Sequence, residues 1–511
     1  MLSKTYTSAV VGIDAYFVNI EVDVSRGLPA IVIVGLPDQS VKEAKERVAS
    51  AIKNSGFEYP PKKITVNLGP AGVKKEGPSF DLPIALGILA GLEQIEKKKL
   101  CEYIFIGELG LDGSVRPVRG ALPIALLLKK QRFKGLILPK ANAVEASFVD
   151  GTSVYPAENL RQVVSFINGE IEIESCKNSM SNILLSSSFQ YDVDFCEIKG
   201  QYQAKRAIEI AAAGGHNILL IGPPGTGKTM LARRLPTILP DMALEEILQT
   251  SKIHSVAGLL SDGNNLVTRR PFRSPHHTIS DAGLVGGGTF PKPGEVSLAH
   301  NGVLFLDELP EFGRNVLEVL RQPLEDEEVI ISRAVRSLKF PARFMLVCAM
   351  NPCPCGYYTD TRRQCHCTPN QIRKYRSKIS GPLLDRIDMH IDVPSIKYQE
   401  LSSDRQEENS SFIRERVNQA RKTQHQRFEN ESIHCNAQMR PKHLKKYVQV
   451  DEQCKALLKS AIQELGISAR AYDRILKVSR TIADIEESLT IQPSHIGEAI
   501  QYRSLDREYV I

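Results

Sequence analysis

Along the first 170 residues the apolar positions switch repeatedly between two spacings. In "AVVGIDAYFVNIEVDV" (residues 9–24) they alternate on either side of Gly12, the pattern of a hairpin with one buried face. "LPAIVIVGLP" (28–37) is a short continuous apolar run, which predicts a buried strand. "SVKEAKERVASAIKNSG" (40–56) places its apolar residues three and four apart and stops at a glycine, which predicts an amphipathic helix. "KITVNLGP", "FDLPIALGILAGL" and "GLILPK" continue the strand–helix rhythm. Residues 172–192 are serine-rich and aperiodic, a linker. A second α/β block starts at "DFCEIKGQYQAKRAIEIAAAGG" and ends near "HIDVPS", and beyond it the chain is polar with helical periodicity. The expected organisation is an α/β multidomain protein with an N-terminal domain over 1–171, a linker over 172–192, a second α/β domain over 193–396 and a helical domain over 397–511.

The second block carries the strongest chemical signal. A strand over 217–221 runs into Gly222-Pro223-Pro224-Gly225-Thr226-Gly227-Lys228-Thr229 and then into a helix. The glycines let backbone N–H groups curl around phosphate oxygens, Lys228 reaches the β- and γ-phosphates, and the Thr229 hydroxyl ligates Mg²⁺. Further on, "GVLFLDELPEF" ends a buried strand at Asp307, a second magnesium-side carboxylate, with Glu308 as candidate base for the attacking water. "RFMLVCAMNP" is another buried strand. It ends at Asn351, whose amide either orients that water or only forms an Asn-Pro turn.

Two stretches add positive charge. "TRRPFRSPHHTISDAGLVGGGTFPKPGEV" (268–296) holds Arg269, Arg270, Arg273, His276, His277 and Lys292. "EVIISRAVRSLKFPARF" (328–344) reads as a hairpin with Arg333, Arg336 and Lys339 near its turn. Such clusters neutralise nucleic-acid phosphates without reading sequence. The bland alternatives are a solvated face, or arginines serving nucleotide at a subunit boundary. The histidines suit turns or packing better than a ligand role, and Phe272 and Phe290, although able to stack on bases, suit packing better.

Four of the ten cysteines lie in "NPCPCGYYTDTRRQCHC": Cys353, Cys355, Cys365 and Cys367. Four thiolates complete a closed tetrahedral Zn²⁺ site. A disulfide, free thiols, or His366 in place of one ligand remain open. A metal clip there would hold up a loop carrying Arg362 and Arg363, facing DNA or a neighbouring subunit, and would take no part in hydrolysis.

Composition changes the picture little. The 511 residues are 42% hydrophobic and 24% charged with no tryptophan, and a net charge of +6 leaves nucleic-acid binding to local clusters. No apolar run reaches the length of a membrane span and no signal-peptide layout opens the chain, so a cytoplasmic protein with no membrane partner is expected.

Phosphate loop, acidic pair and strand-terminal asparagine in this order resemble the AAA+ ATPases, and more closely their magnesium-chelatase-like members. "GPLLDRIDMHIDV" resembles the box that carries an arginine finger, which implies that Arg386 contacts the nucleotide of a neighbouring subunit. "SARAYDRILKVSRTIAD" resembles the second-sensor helix of the C-terminal lid domain, implying a contact from Arg470 to the γ-phosphate of its own chain, or from Arg474 one turn on. "KKEGPSFDLPIALGILAGL" and "GELGLDGSVRPVRGALPIALLLKKQRFKGLILPK" resemble the proteolytic domain of Lon, of the ribosomal-S5 domain-2 type. Ser79 stands at that family's nucleophile position, but its activating lysine falls on Leu122 and its small residues on Phe80-Asp81. Unless Lys129 or Lys130 substitutes, the domain is proteolytically inactive and serves assembly or binding. Together these blocks resemble the YifB/ComM family of magnesium-chelatase-like ATPases over essentially the whole chain. The resemblance implies a homo-hexameric helicase that uses ATP, Mg²⁺ and Zn²⁺, binds single- and double-stranded DNA and junctions, and drives branch migration during natural transformation alongside recombination proteins. A protein-remodelling ATPase and a magnesium-chelatase motor subunit are the alternatives.

Overall fold

The computed structural model describes the chain except residues 130, 132, 177–190, 261–265, 289–290, 333–336, 359, 361, 397–406, 466–467 and 504–511. Most of the expected linker, Lys130, Phe290, Arg333 and Arg336 therefore lie outside the described residues. The chain folds as two units, one of Met1–Ser188 with Ile247–Thr268 and one of Phe189–Glu246 with Arg269–Ile511.

The first unit is built on a seven-stranded mixed sheet. Its strands run in the order Ala30–Val34, Lys63–Gly69, Asp14–Ser25, Leu2–Val11, Tyr103–Phe105, Gly135–Pro139, Val154–Ala157. The predicted hairpin pairs Leu2–Val11 with Asp14–Ser25 in register from Leu2 opposite Asp23 to Val11 opposite Asp14, turning at Gly12 with φ +64°. The helix Gln39–Asn54 starts one residue before its predicted apolar pattern because Asp38 caps it, accepting from the Val41 N–H at 2.8 Å. The helix Asp81–Gly91 is buried all round, which its unbroken apolar run foretells.

The second unit centres on five parallel strands in the order Phe272–Arg273, Val303–Leu306, Met345–Met350, Ile218–Ile221, Met389–Asp392. A parallel sheet is covered on both faces, so "ILLI", "VLFL" and "MLVCAM" are apolar at every position and every residue is buried. All these strands end on the same edge, which brings residues from distant stretches of sequence together there.

Two features depart from the expected bounds. Helices after residue 407, including Ser410–Arg427 and Ala469–Ile485, share one apolar core with the five-stranded sheet, as Val417 and Ile475 do with Ile218 and Val347. Residues 247–268 belong to the first unit although the sequence places them inside the second. Ser255 there bonds the buried Glu145, which also accepts from the Leu122 N–H at 3.1 Å. Among the described residues no helix is long and apolar enough to cross a membrane.

Candidate active site

The strand Ile218–Ile221 delivers the loop 222–227 to the C-terminal edge of the sheet, and the helix Lys228–Arg234 leaves from it. Gly222 is required by close approach, since a Cβ there would sit 2.1 Å from the Val393 carbonyl oxygen. Gly225 and Gly227 take φ of +78° and +89°, which favours glycine. Thr226 closes the loop by donating to the Pro223 carbonyl at 3.0 Å.

Lys228 donates to the Gly222 and Pro223 carbonyls at 2.7 and 2.8 Å and to Asn351 Oδ1 at 3.3 Å. Burial pushes its pKa down to about 8, against the opposing pull of Asp307. Asn351, at the end of Met345–Met350, is thus joined to the phosphate loop through the lysine. Asp307 ends the neighbouring strand and accepts from the Thr229 hydroxyl at 2.7 Å. A hydroxyl and a carboxylate so close supply two of the six oxygens of an octahedral Mg²⁺ shell, so the residues fit Mg²⁺. Glu308 is exposed, sits at φ +52°, and lies 3.6 Å from His277 Nδ1. His277 follows the adjacent strand Phe272–Arg273 and stacks on His276 at 4.1 Å between ring centres. Sequence reasoning treated both histidines as turn or packing residues. Their only signal was position just beyond a strand that pairs with the one ending at Asp307.

The arginines expected at a nucleotide, Arg386 at a neighbour's and Arg470 or Arg474 at this chain's own, have the following partners. Arg386 bonds Glu325 and the Pro382 carbonyl, and is buried. Arg474 donates to the Asp385 carbonyl at 2.7 Å and pairs with Asp388, while Arg470 is exposed and 3.4 Å from Asp385. Asp388 is tied to Asn217, which precedes Ile218 and accepts from the Asp388 N–H at 2.9 Å. From Asn217 to Gly222 the strand spans five residues of about 3.3 Å, so the Asn217 end, where Asp388 and its partner Arg474 lie, is roughly 16 Å along the strand from the phosphate loop. The expectation that Arg470, or Arg474, reaches the γ-phosphate of its own chain is corrected accordingly: both lie on the side of Arg386.

The cationic stretches also resolve into partners. Arg270 is withdrawn from the DNA-facing set. Its guanidinium is committed to the Pro240 and Asn301 carbonyls (2.6 and 2.7 Å) and to Glu246 (2.9 Å), inside the second unit. Arg273 makes a two-pronged bond to Glu295 at 2.6 and 2.7 Å. Phe272 packs on Phe305. Arg269 is exposed over the Tyr191 ring at 5.1 Å. The predicted hairpin is present as Glu328–Ser332 paired with Ser337–Pro341, where Lys339 meets Glu328 at 2.7 Å. Arg362 and Arg363 are exposed, Arg362 donating to the Ile396 carbonyl and Arg363 to the Tyr357 hydroxyl at 2.7 Å.

The four cysteines converge, with all four sulfurs within 4.8 Å of one another. Cys353 Sγ is 3.3 Å from Cys355 and 3.7 Å from Cys365, and Cys355 is 3.5 Å from Cys365. A disulfide needs about 2.05 Å. Zn–S bonds of about 2.3 Å put sulfurs about 3.8 Å apart on a tetrahedron, close to these separations, so the donor set fits a tetrahedral thiophilic ion. The turn that brings Cys353 and Cys355 together ends at Gly356, with φ +86°, and packs on the phosphate loop. A Cβ at Gly356 would lie 2.7 Å from Pro224 Cδ.

In the first unit Ser79 lies in a short turn, Pro78–Phe80. The next residue, Asp81, is buried and held by Arg47 at 2.7 and 3.0 Å, with burial pushing it up to about 6. Leu122 is buried in the helix Ala121–Leu128, and Lys129, its C-cap, is exposed.

A phosphate loop, an acidic pair and an asparagine, each ending a neighbouring strand of one parallel sheet, define an α/β multidomain protein of AAA+ type. The comparisons narrow the class. Residues 194–401 match a family model described as magnesium chelatase, subunit ChlI, residues 20–142 one described as subunit ChlI of Mg-chelatase, and residues 407–503 one for the ChlI C-terminal region. The competence protein ComM of Haemophilus influenzae is 46% identical over 99% of this chain and 98% of its own length. YifB of Escherichia coli K12 is 44% identical over the same shares, and a Mycobacterium tuberculosis relative is 38% identical over 98% of both chains. The chain belongs to the YifB/ComM family of magnesium-chelatase-like proteins.

Proposed function

We propose that this protein is an ATP-hydrolysing ring motor that works on DNA in the cytoplasm: a hexameric helicase that drives branch migration as incoming DNA is recombined during natural transformation. The observation that carries the ATPase is the convergence of Lys228, Thr229, Asp307 and Asn351 at one edge of the sheet. Thr229 and Asp307 would hold Mg²⁺, which supplies positive charge to the β- and γ-phosphates. Lys228 binds those phosphates, Asn351 holds Lys228 in line, and Glu308 takes the proton of the attacking water. The position of Arg386, Arg470 and Arg474, one strand length from their own phosphate loop, supports action on the nucleotide of an adjacent copy, and hence a ring. The competence role rests on likeness to the ComM protein.

On this reading the first unit has a Lon-like fold without proteolysis, since Leu122 cannot take a proton from Ser79, and the helices after 407 form the lid domain. Arg269, Lys339, Arg362 and Arg363 are exposed cations offered to the DNA backbone, and Arg333 and Arg336, outside the described residues, belong to the same expected set. Cys353, Cys355, Cys365 and Cys367 hold one Zn²⁺ that fixes the loop bearing Arg362 and Arg363.

DNA-stimulated ATP hydrolysis tests the motor. Lys228→Ala should lose nucleotide binding and Glu308→Gln should bind ATP without turnover. Mixed Arg386→Ala and Glu308→Gln subunits should exceed either alone. Hydrolysis indifferent to single-stranded, duplex and junction DNA would refute the DNA part. Elemental analysis of protein purified without chelator should find one zinc per chain, and metal-free protein would remove the clip.

A further inference from the structure

The apolar run 28–37 predicts a buried strand, and only half of that burial is met. In Ala30–Val34, Ile31 and Ile33 turn toward the core of the first unit. Ala30, Val32 and Val34 stand on the other face, level with Lys63, Thr65 and Asn67 of the strand Lys63–Gly69. Leu28, Val32, Val34 and Leu36 are 87, 42, 41 and 56% exposed. The strand is also one end of the seven-stranded sheet, and among the described residues no strand pairs with its outer side. The opposite end differs, because the Cys176 N–H donates to the Val154 carbonyl there at 2.8 Å. Free edges are ordinarily protected by a charge, a proline or a bulge, and Ala30–Val34 has none of these. Leu36 then holds a left-handed backbone, φ +58°, which disfavours residues with a side chain. The Lys75 N–H, donating to the Leu36 carbonyl at 3.1 Å, and the Asp38 N–H, donating to the Lys75 carbonyl at 2.9 Å, keep it there with its side chain in solvent. An apolar row, an open edge and a strained, exposed leucine in one segment mark a docking strand that waits for its partner.

Charge says what kind of partner fits. Arg26, Lys62 and Lys63 are exposed at the start of the strand. Arg26 precedes it, Lys63 lies opposite Ala30, and the Lys63 Cβ is 3.4 Å from where a Gly27 Cβ would stand. Among the described residues none of the three has an ion pair. The nearest carboxylate in register on the adjoining strand, Asp23 opposite Thr65, is taken by the amino terminus at 3.3 Å. We propose that this edge binds an extended peptide segment of another protein, apolar at every second position and carrying Asp or Glu toward the end that meets Arg26, Lys62 and Lys63. Added as a further strand, the peptide takes up the outward N–H and C=O groups of Ala30–Val34 and covers Val32 and Val34. A second copy of this chain is the poorer fit. Antiparallel pairing of two such edges brings up Asp38 and Glu76, and both are committed: Asp38 accepts from the Val41 and Gly77 N–H groups, and Glu76 lies 3.9 Å from Lys74. The edge lies wholly in the first unit and depends on nothing assigned to the nucleotide.

The probe is a phage-displayed library of short random peptides panned on the full chain, with the enriched peptides synthesised and titrated by fluorescence anisotropy. The expected sequences alternate apolar residues and carry Asp or Glu at one end. Their binding should weaken at least about tenfold in Val32→Thr/Val34→Thr, which keeps β-branched side chains on the strand and exchanges methyl groups for hydroxyls. Lys62→Glu/Lys63→Glu should weaken it at low salt and much less at high salt. If the threonine pair fails to fold, Leu36→Gly carries the same readout, because glycine suits the left-handed backbone and only the exposed side chain is lost. Its melting temperature should be no lower than the parent's while peptide binding falls. ATP hydrolysis, measured alongside, reports on the second unit alone, so failure of the motor reading and failure at this edge are distinguishable. No enriched peptide, peptides that bind the parent and the threonine variant alike, or peptides indifferent to the lysine reversal at low salt overturn the proposal. So does sedimentation in which the threonine pair dissociates an assembly of the parent while no peptide competes, which gives the edge to a second copy.

Discussion

Gly356→Ala perturbs the phosphate loop without substituting any residue of that loop. At φ +86° an alanine costs about 1–2 kcal/mol relative to glycine. Its methyl would also lie 2.7 Å from Pro224 Cδ and 3.3 Å from Pro224 Cγ, closer than carbon atoms pack. Neither side yields freely. The cysteine turn is closed by the Gly356 N–H donating to the Cys353 carbonyl at 3.0 Å, and Pro224 lies between Gly222, pinned against Val393, and Lys228, pinned on Asn351. Relief must therefore displace the phosphate loop by tenths of an ångström. If about 1.4 kcal/mol of the strain appears in the nucleotide-bound state, ATP affinity falls about tenfold. Calorimetric titration with MgATP measures this, with Gly381→Ala as control because nothing lies within 4 Å of its added methyl. An ATP affinity within twofold of the parent in Gly356→Ala, despite a lowered melting temperature, would show that the cysteine turn and the phosphate loop move independently.

Three further outcomes follow from described contacts. His277→Ala should raise DNA-free ATP hydrolysis by about two- to fivefold, the size of one exposed polar contact released from Glu308, and an unchanged or lower rate would count against it. His300 is buried and its pKa is pushed down to about 3, chiefly by burial and then by Arg343, whereas in the unfolded chain it stays near 6.5. Protons are then bound more readily by the unfolded chain, so this contribution to stability is present above pH 6.5 and is lost as pH falls from 6.5 toward 3. The slope is at most about 1.4 kcal/mol per pH unit, and His300→Asn should flatten it in melting curves taken between pH 6.5 and 4. Metal removal by a chelator, or Cys365→Ser with Cys367→Ser, should weaken ATP binding as Gly356→Ala does, which departs from the expectation that the metal leaves the nucleotide alone; unaltered ATP affinity in metal-free protein would restore that expectation.

Much of the ATP site was legible in the sequence because its determinants are local. Gly222, Gly225 and Gly227 answer to backbone geometry within one loop, and Asp307 and Asn351 are polar residues at the ends of apolar runs, visible without knowing which strands pair. The charges were less legible, because a guanidinium is defined by its partner. Arg386 meets Glu325 sixty-one residues away and Arg474 meets Asp388 eighty-six residues away. Arg270 sits in a stretch that looks uniformly basic until Glu246 is brought beside it. The cysteine cluster was visible from composition, but its contact with Pro224 was not, since a glycine announces a turn and not what the turn leans on. His277 was missed because its meaning depends on which strands are neighbours.

The segment 247–268 sets a timetable for synthesis. A ribosome releases the chain from the N-terminus, and a domain folds only when all of its parts have emerged. The first unit cannot close when residue 188 appears, because Ser255, the partner of Glu145 across 110 residues of sequence, is still to be made. At roughly 5–20 residues per second the wait lasts several seconds at least. During it the strand Ile218–Ile221 is already out, while the strands that will flank it, at 345–350 and 389–392, are not. The nascent protein thus holds two incomplete cores at once, and the window between residues 188 and 268 is where a chaperone would find it.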